Sequence, residues 1–242
     1  VERDAPIYVA GGQTLIGSAL LRHLKSQGFT NLVGAPSDDL NLCSAAAVDN
    51  FFRGARPRFV IFAAGKSGGI QTNRSFPADL MLDNLLSQCH VIDAAHRYGV
   101  KKLLYLASSC SYPKQCPQPM RVESLMSGPL EPTNDAYATA KLAGITLCQA
   151  YAGQHGDNFI CGIPANVFGI DDDFTPEGGH VIPALIGKIH RAKVESQPSV
   201  EIWGTGTPRR EFIFADDLAD ACLFVLREYH DTQTPINLGS GA

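Results

Sequence analysis

The feature that most constrains this chain is a rotation of short apolar runs with longer segments of helical period. Ile7-Tyr8-Val9-Ala10 reads as a buried strand, and the stretch from Ile16 to Lys25 places Leu20, Leu21 and Leu24 at helical spacing. Asn31 to Gly34 is a second strand, and Phe59-Val60-Ile61-Phe62-Ala63 a third that is apolar throughout. Strands that lose the polar alternation are buried on both faces, which points to a parallel sheet. A long helix is expected after Pro77, carrying Leu80, Leu82, Leu85, Leu86, Val91, Ile92 and Ala95. A fourth strand follows at Leu103 to Ala107, a helix from about Asp135 to His155, and a strand at Phe159 to Ile163. Strand and helix in strict rotation imply right-handed crossovers and an α/β fold, a Rossmann-type doubly wound parallel sheet.

Ligands of such sheets bind beyond the carboxyl ends of the strands, which nominates the loops after Ala10, Ala63, Ala107 and Ile163. Residues 1–165 read as a dinucleotide-binding domain. Beyond them the rotation becomes irregular, with short segments at Val200 to Trp203 and Glu211 to Phe214 among turns and two helices. Residues 166–242 are therefore expected to form a partial, shortened substrate-binding lobe interleaved with the last sheet elements. The chain stops at Ala242, just after a strand-like Pro235 to Leu238.

Composition excludes several classes. A formal net charge of −4 over 242 residues leaves no electrostatic footprint for nucleic acid. No apolar run approaches the roughly 18–20 residues of a membrane span, and the charged start of the chain lacks a signal peptide's apolar segment. Seven cysteines without CxxC spacing argue against a disulfide framework or a zinc site, and suggest reduced thiols in the cytoplasm. Six of them (Cys43, Cys89, Cys116, Cys148, Cys161 and Cys222) read as structural. The aspartate clusters at 171–173 and 216–217 read as helix caps or solvated charge, so no metal is expected.

Two turns carry chemistry. Gly11-Gly12-Gln13-Thr14-Leu15-Ile16-Gly17 lies between a strand and a helix, where a dinucleotide's pyrophosphate meets close backbone and a helix N-terminus. Thr14 stands where the extended short-chain pattern GxxGxxG has its middle glycine. The end of the second strand, Ala35 to Asp39, offers no arginine for a 2′-phosphate, and Gln13 is uncharged. The second signal is Tyr137-Ala138-Thr139-Ala140-Lys141, a YxxxK motif on a helix. Four residues apart, the Lys141 ammonium is expected beside the Tyr137 phenol, pulling its pKa down toward neutrality. Such a phenol protonates a carbonyl oxygen as hydride arrives, with Ser108 or Ser109 at the end of the fourth strand hydrogen-bonding the same oxygen.

Around these residues the chain resembles the GDP-fucose synthases, epimerase-reductases of the extended short-chain dehydrogenase type. The resemblance runs through SSCSYPK (108–114), GPLEPTNDAYATAKLAG (128–144), HVIPALI (180–186), WGTGTPRREF (203–212) and GKSGGI (65–70) with Asn84 after it. It implies Ser108, Tyr137 and Lys141 as the reductive set, with Cys110 and His180 as base and acid of a C3/C5 epimerisation. It implies substrate contacts at Ser109, Lys188, Trp203 and Arg210. Cofactor contacts would be Gly11, Gln13, Thr14, Leu15, Ile16 and Gly17 in the first turn, Asp39 and Leu40, Ala63 and Ala64, Lys141, Pro164, Asn166, Val167 and His180. The implied cofactor is NADP, with NAD the alternative; the substrate is a GDP-linked 4-keto-6-deoxy-mannose, and the assembly a homodimer. A related 4-keto sugar such as a GDP-6-deoxy-heptose, or a non-catalytic nucleotide-binding relative, are the alternative readings.

Overall fold

The computed structural model describes residues 1–34, 40–175, 179–202 and 204–241. Its centre is a six-stranded sheet, built from β1 (Ile7–Ala10), β2 (Leu32–Val33), β3 (Phe59–Phe62), β4 (Lys102–Leu106), β5 (Phe159–Pro164) and β8 (Ile236–Leu238). The strand order is β2-β1-β3-β4-β5-β8, and every neighbouring pair is parallel. The order reverses between β1 and β3, so the crevice beyond Ala10 and Phe62 is the topological switch point where such sheets take ligands. A second, two-stranded parallel sheet joins β6 (Asn166–Phe168) to β7 (Phe212–Phe214).

The helices are α1 (Leu15–Ser26), α2 (Ala45–Ala55), α3 (Ile70–Ser75), α4 (Pro77–Arg97), α5 (Asp135–His155), α6 (Val181–Val194) and α7 (Ala215–Glu228). Alternate residues of each central strand face opposite layers. Ile7, Val9, Phe59, Ile61, Leu104 and Leu106 pack under α1 and α7 through Leu20, Leu24, Leu218 and Leu223. Tyr8, Val60, Phe62, Leu103, Tyr105 and Phe159 face α2, α4 and α5 through Phe52, Val91, Ile92 and Ile145. Both faces of the sheet are covered, as the unbroken apolar runs require. The doubly wound α/β architecture expected from the sequence is the one observed.

Local signals set the helix ends. Pro77 opens α4, where its missing N–H and fixed φ cost nothing. Gly156, left-handed at φ 75°, closes α5. The aspartates 216 and 217 lie in the first turn of α7, where the helix dipole favours negative charge. Asp216 also pairs with Arg22 of α1, as does Asp171, tying the first crossover to the C-terminal segment. Among the described residues no helix is long and apolar enough to cross a membrane, and all seven cysteines are free.

Candidate active site

The first turn is built for close approach. Gly11 has φ +83°, and a Cβ there would lie 2.6 Å from the Ala64 Cα at the end of β3. At Gly17 a Cβ would fall 1.9 Å from the Gly11 carbonyl oxygen, so no side chain fits. Thr14, in contrast, needs no glycine, since its φ of −74° is open to any residue. Its hydroxyl accepts from the Gly17 N–H at 3.1 Å and donates to the Gly11 carbonyl at 2.8 Å, with the Ala63 carbonyl 3.3 Å away. The threonine thus caps α1 and fastens the turn to β3, a job a glycine cannot do. Gln13 is exposed, and Leu15 and Ile16 are half-buried against the core. The narrow cradle at Gly11 and Gly17, ending on a helix N-terminus, fits the pyrophosphate of a dinucleotide.

Ala63 and Ala64 follow directly on β3 and are buried, and Pro164 ends β5 two strands away. Asn166 and Val167 begin β6, with the Asn166 amide donating to the Glu211 carbonyl at 2.9 Å. Leu40 is half-buried beside α2, whereas Asp39 lies outside the described residues.

The reactive cluster forms where β4 meets the start of α5. Ser108 follows β4 and accepts from the Cys110 backbone N–H at 3.3 Å, opening the single 3₁₀ turn of residues 109–111 that holds Ser109 and Cys110. The Ser108 hydroxyl lies close enough to the Tyr137 phenol to lower its pKa. Asn134, just before α5, donates its side-chain N–H to the Cys110 sulfur at 3.2 Å. Ser108, Cys110 and Tyr137 are thereby brought into one cluster.

Lys141 is buried, and its ammonium is engaged by the ends of the neighbouring strands. Its ammonium donates to the Ala64 carbonyl at 3.3 Å and the Leu106 carbonyl at 3.2 Å, linking the ends of β3 and β4. It also lies over the Tyr105 ring, 5.3 Å from the centroid. Gly65 makes room: a Cβ there would lie 2.6 Å from Asn84 Oδ1 and 3.1 Å from the Lys141 nitrogen. Burial brings the Lys141 ammonium down to about 8. The Tyr137 phenol is pushed above its ordinary value rather than below it. Burial is the main cause and the neighbouring Cys110 adds to it, while the Ser108 hydroxyl acts the other way. The expectation of a phenol lowered by its lysine is therefore corrected, because the ammonium is engaged by strand carbonyls and desolvation dominates the phenol. At neutral pH the phenol is protonated, the form needed to give a proton away.

His180 stands at the N-cap of α6, exposed, on a separate element from the cluster, with Asp172 and Asp173 as charged neighbours. Lys188 is half-buried two turns further along α6. Arg210 is exposed, its guanidinium donating to the adjacent Arg209 carbonyl at 2.7 Å. Trp203 lies outside the described residues. An apolar hollow lined by Phe168, Ile170, Phe174, Ile182, Pro183 and Phe214 flanks α6 rather than the Ser108–Tyr137 cluster. Asn134 is the residue of the cluster that sequence reasoning passed over; an asparagine before a helix reads as a cap, and only the fold reveals its sulfur contact.

Known proteins resemble this chain over its whole length. The NAD dependent epimerase/dehydratase family matches residues 7–239. GDP-L-fucose synthase 1 of Arabidopsis thaliana is 50% identical over 240 residues, covering 99% of this chain and 74% of that protein. A GDP-L-fucose synthetase from Naegleria fowleri, solved bound to NADP, superposes with a TM-score of 0.89 at 32% identity, covering 99% of this chain and 78% of that one. A GDP-mannoheptose C4 reductase from Campylobacter jejuni, solved with NADP, gives 0.91 at 32% identity, covering 100% and 82%. The chain belongs to the NAD dependent epimerase/dehydratase family and, within it, to the group of the GDP-L-fucose synthases.

Proposed function

We propose that this protein is an NADP-dependent epimerase-reductase that converts GDP-4-keto-6-deoxymannose to GDP-L-fucose, inverting C3 and C5 and then reducing C4. The observation that carries this reading is the convergence of Ser108, Cys110 and Tyr137 at the junction of β4 and α5. A reductase alone needs the serine and tyrosine; a thiol held in the same cluster is what epimerisation adds.

The roles follow from the chemistry. A ketone at C4 acidifies the hydrogens on C3 and C5. Cys110 takes each proton and His180 returns one to the opposite face, so a single base and acid serve both centres. Tyr137 then gives its phenolic proton to the C4 oxygen while Ser108 holds that oxygen by a hydrogen bond. Bound NADPH supplies the hydride to C4. The turn from Gly11 to Gly17 holds the pyrophosphate, and Lys141 fixes the strand ends and the cofactor's ribose. Leu40, Ala63, Ala64, Pro164, Asn166 and Val167 line the rest of the cofactor's path. Ser109, Lys188, Trp203 and Arg210 hold the GDP-sugar, with Arg210 on the diphosphate. Residues 1–165 act as the cofactor domain and 166–242 as part of the substrate lobe. The assembly is a homodimer built on α4 and α5, and free thiols fit the cytoplasm.

The second reading, a GDP-heptose C4 reductase, is favoured by the Campylobacter structure's similarity. Incubation with GDP-4-keto-6-deoxymannose and NADPH in D2O separates the two. The epimerase-reductase yields GDP-L-fucose carrying deuterium at C3 and C5 and NADPH-derived hydrogen at C4. Product without carbon-bound deuterium, reduced at C4 only, would sink the epimerase reading.

A further inference from the structure

Asn134 occupies the N-cap of α5, yet its side chain makes no capping hydrogen bond. Asparagine is among the residues preferred at this position because its side-chain oxygen normally accepts a first-turn N–H. Here the backbone conformation, φ −145° and ψ 20°, departs from the usual extended cap, and the Ala136 N–H is met instead by Asp135 at 2.7 Å. The Asn134 amide points at Cys110, with Nδ2 3.2 Å from the sulfur. Its Oδ1 is buried without a hydrogen-bond partner among the described residues. An unsatisfied buried carbonyl is costly, and such a group calls for an explanation. The amide therefore serves neither the helix end nor the core, and its one side-chain hydrogen bond among the described residues goes to the thiol.

From this geometry we infer that Asn134 is a positioning residue for the epimerisation, its amide N–H fixing the Cys110 sulfur and ready to hydrogen-bond it as the base. The inference rests on the epimerase-reductase reading for its purpose but not for its geometry. A donor aimed at sulfur stabilises the negative charge that appears when the thiol loses its proton. Meanwhile Ser108 holds the Cys110 backbone from the other side. Backbone and sulfur are thus anchored independently, 24 residues apart in sequence in the case of Asn134. When Cys110 takes a proton from C3 or C5, the carbon–hydrogen bond breaks and its electron pair passes into the enolate. The proton ends on sulfur, and the amide relinquishes an anionic acceptor for a neutral one. The contact therefore acts on the sulfur before transfer, fixing where the base stands relative to C3 and C5.

The test compares wild type with Asn134→Ala and Asn134→Asp. Two quantities are read: the rate at which iodoacetamide alkylates Cys110 near pH 7, resolved by peptide mass spectrometry, and deuterium wash-in at C3 and C5 of GDP-4-keto-6-deoxymannose with NADPH omitted. Loss of one hydrogen bond to an anion is expected to slow both by about tenfold in Asn134→Ala. Asn134→Asp is the sharper variant: aspartate keeps the size and shape of the side chain, so a packing role would be preserved, whereas its carboxylate beside sulfur should slow alkylation further. Circular dichroism melting reports folding, and should Asn134→Ala fail to fold, Asn134→Asp carries the comparison. Unchanged Cys110 alkylation in a folded variant overturns the inference, whether or not wash-in falls. Asn134-dependent alkylation in a wild type that shows no wash-in supports the contact and removes the epimerase reading instead.

Discussion

At the scale of single residues, Lys141 gives the most testable physics. Its folded-state pKa of about 8 lies below the ordinary lysine value of 10.5. Between those values the unfolded chain binds the proton and the native one does not, so this group makes stability rise with pH across that window. Lys141→Met removes the dependence. In denaturant titrations, wild type should gain on the variant by on the order of 3 kcal/mol from pH 8 to pH 10.5; a difference that stays constant would refute a desolvated ammonium. Tyr137→Phe should reduce C4 reduction by roughly 10²–10⁴-fold while leaving the melting temperature nearly unchanged. Thr14→Val, which keeps the shape and deletes the cap, should cost about 1 kcal/mol of stability and weaken NADPH binding in a fluorescence titration. An unaltered affinity would show that the hydroxyl does not shape the turn. The YxxxK pair and the glycine turn were legible as text because each is encoded by local spacing. Lys141's true acceptors and Thr14's bond to β3 were not, since they depend on carbonyls brought in from strands far along the chain.

At the scale of elements, α5 organises the site. Its first turns carry Tyr137 and Lys141, and its middle locks onto the sheet through Gly144, where an added Cβ would lie 2.3 Å from the Tyr105 hydroxyl. Tyr105 is fully buried and donates to Gln88 of α4 at 2.7 Å, and Gln88 in turn donates to the Ala140 carbonyl of α5 at 2.7 Å. Gly144→Ala overpacks this contact and should cost about 1–3 kcal/mol. Because α5 must shift to absorb it, C4 reduction should fall along with the melting temperature. A variant as stable and as active as wild type would deny α5 that role. The long helices α4 and α5 and the central strands follow from periodicity and unbroken apolar runs. The helix α2 leaves little period to read in the sequence, because only Val48 and Phe52 anchor it. The run Glu211 to Phe214 marks β7 in the sequence, whereas the three residues of β6 leave no pattern and are a strand because they pair with β7.

At the scale of the whole molecule, the fold explains why distant text converges. A parallel order with its reversal between β1 and β3 places the ends of β1, β3 and β4 on one side of the sheet. The glycine turn, the Lys141 acceptors and the Ser108–Cys110–Tyr137 cluster all hang from those ends. Family membership and architecture could be anticipated from the order of motifs. The choice of NADP follows from the resemblance alone, because Gln13 is uncharged and residues 35–39 offer no arginine to read it from. The most direct test of the account is to titrate the purified protein with NADPH and with NADH by cofactor fluorescence, then add GDP-4-keto-6-deoxymannose. The account predicts saturable NADPH binding and loss of the reduced nicotinamide absorbance on adding the sugar, abolished by Tyr137→Phe. Failure of both cofactors to bind at about millimolar concentration, well above the affinities of working dehydrogenase sites, would contradict it.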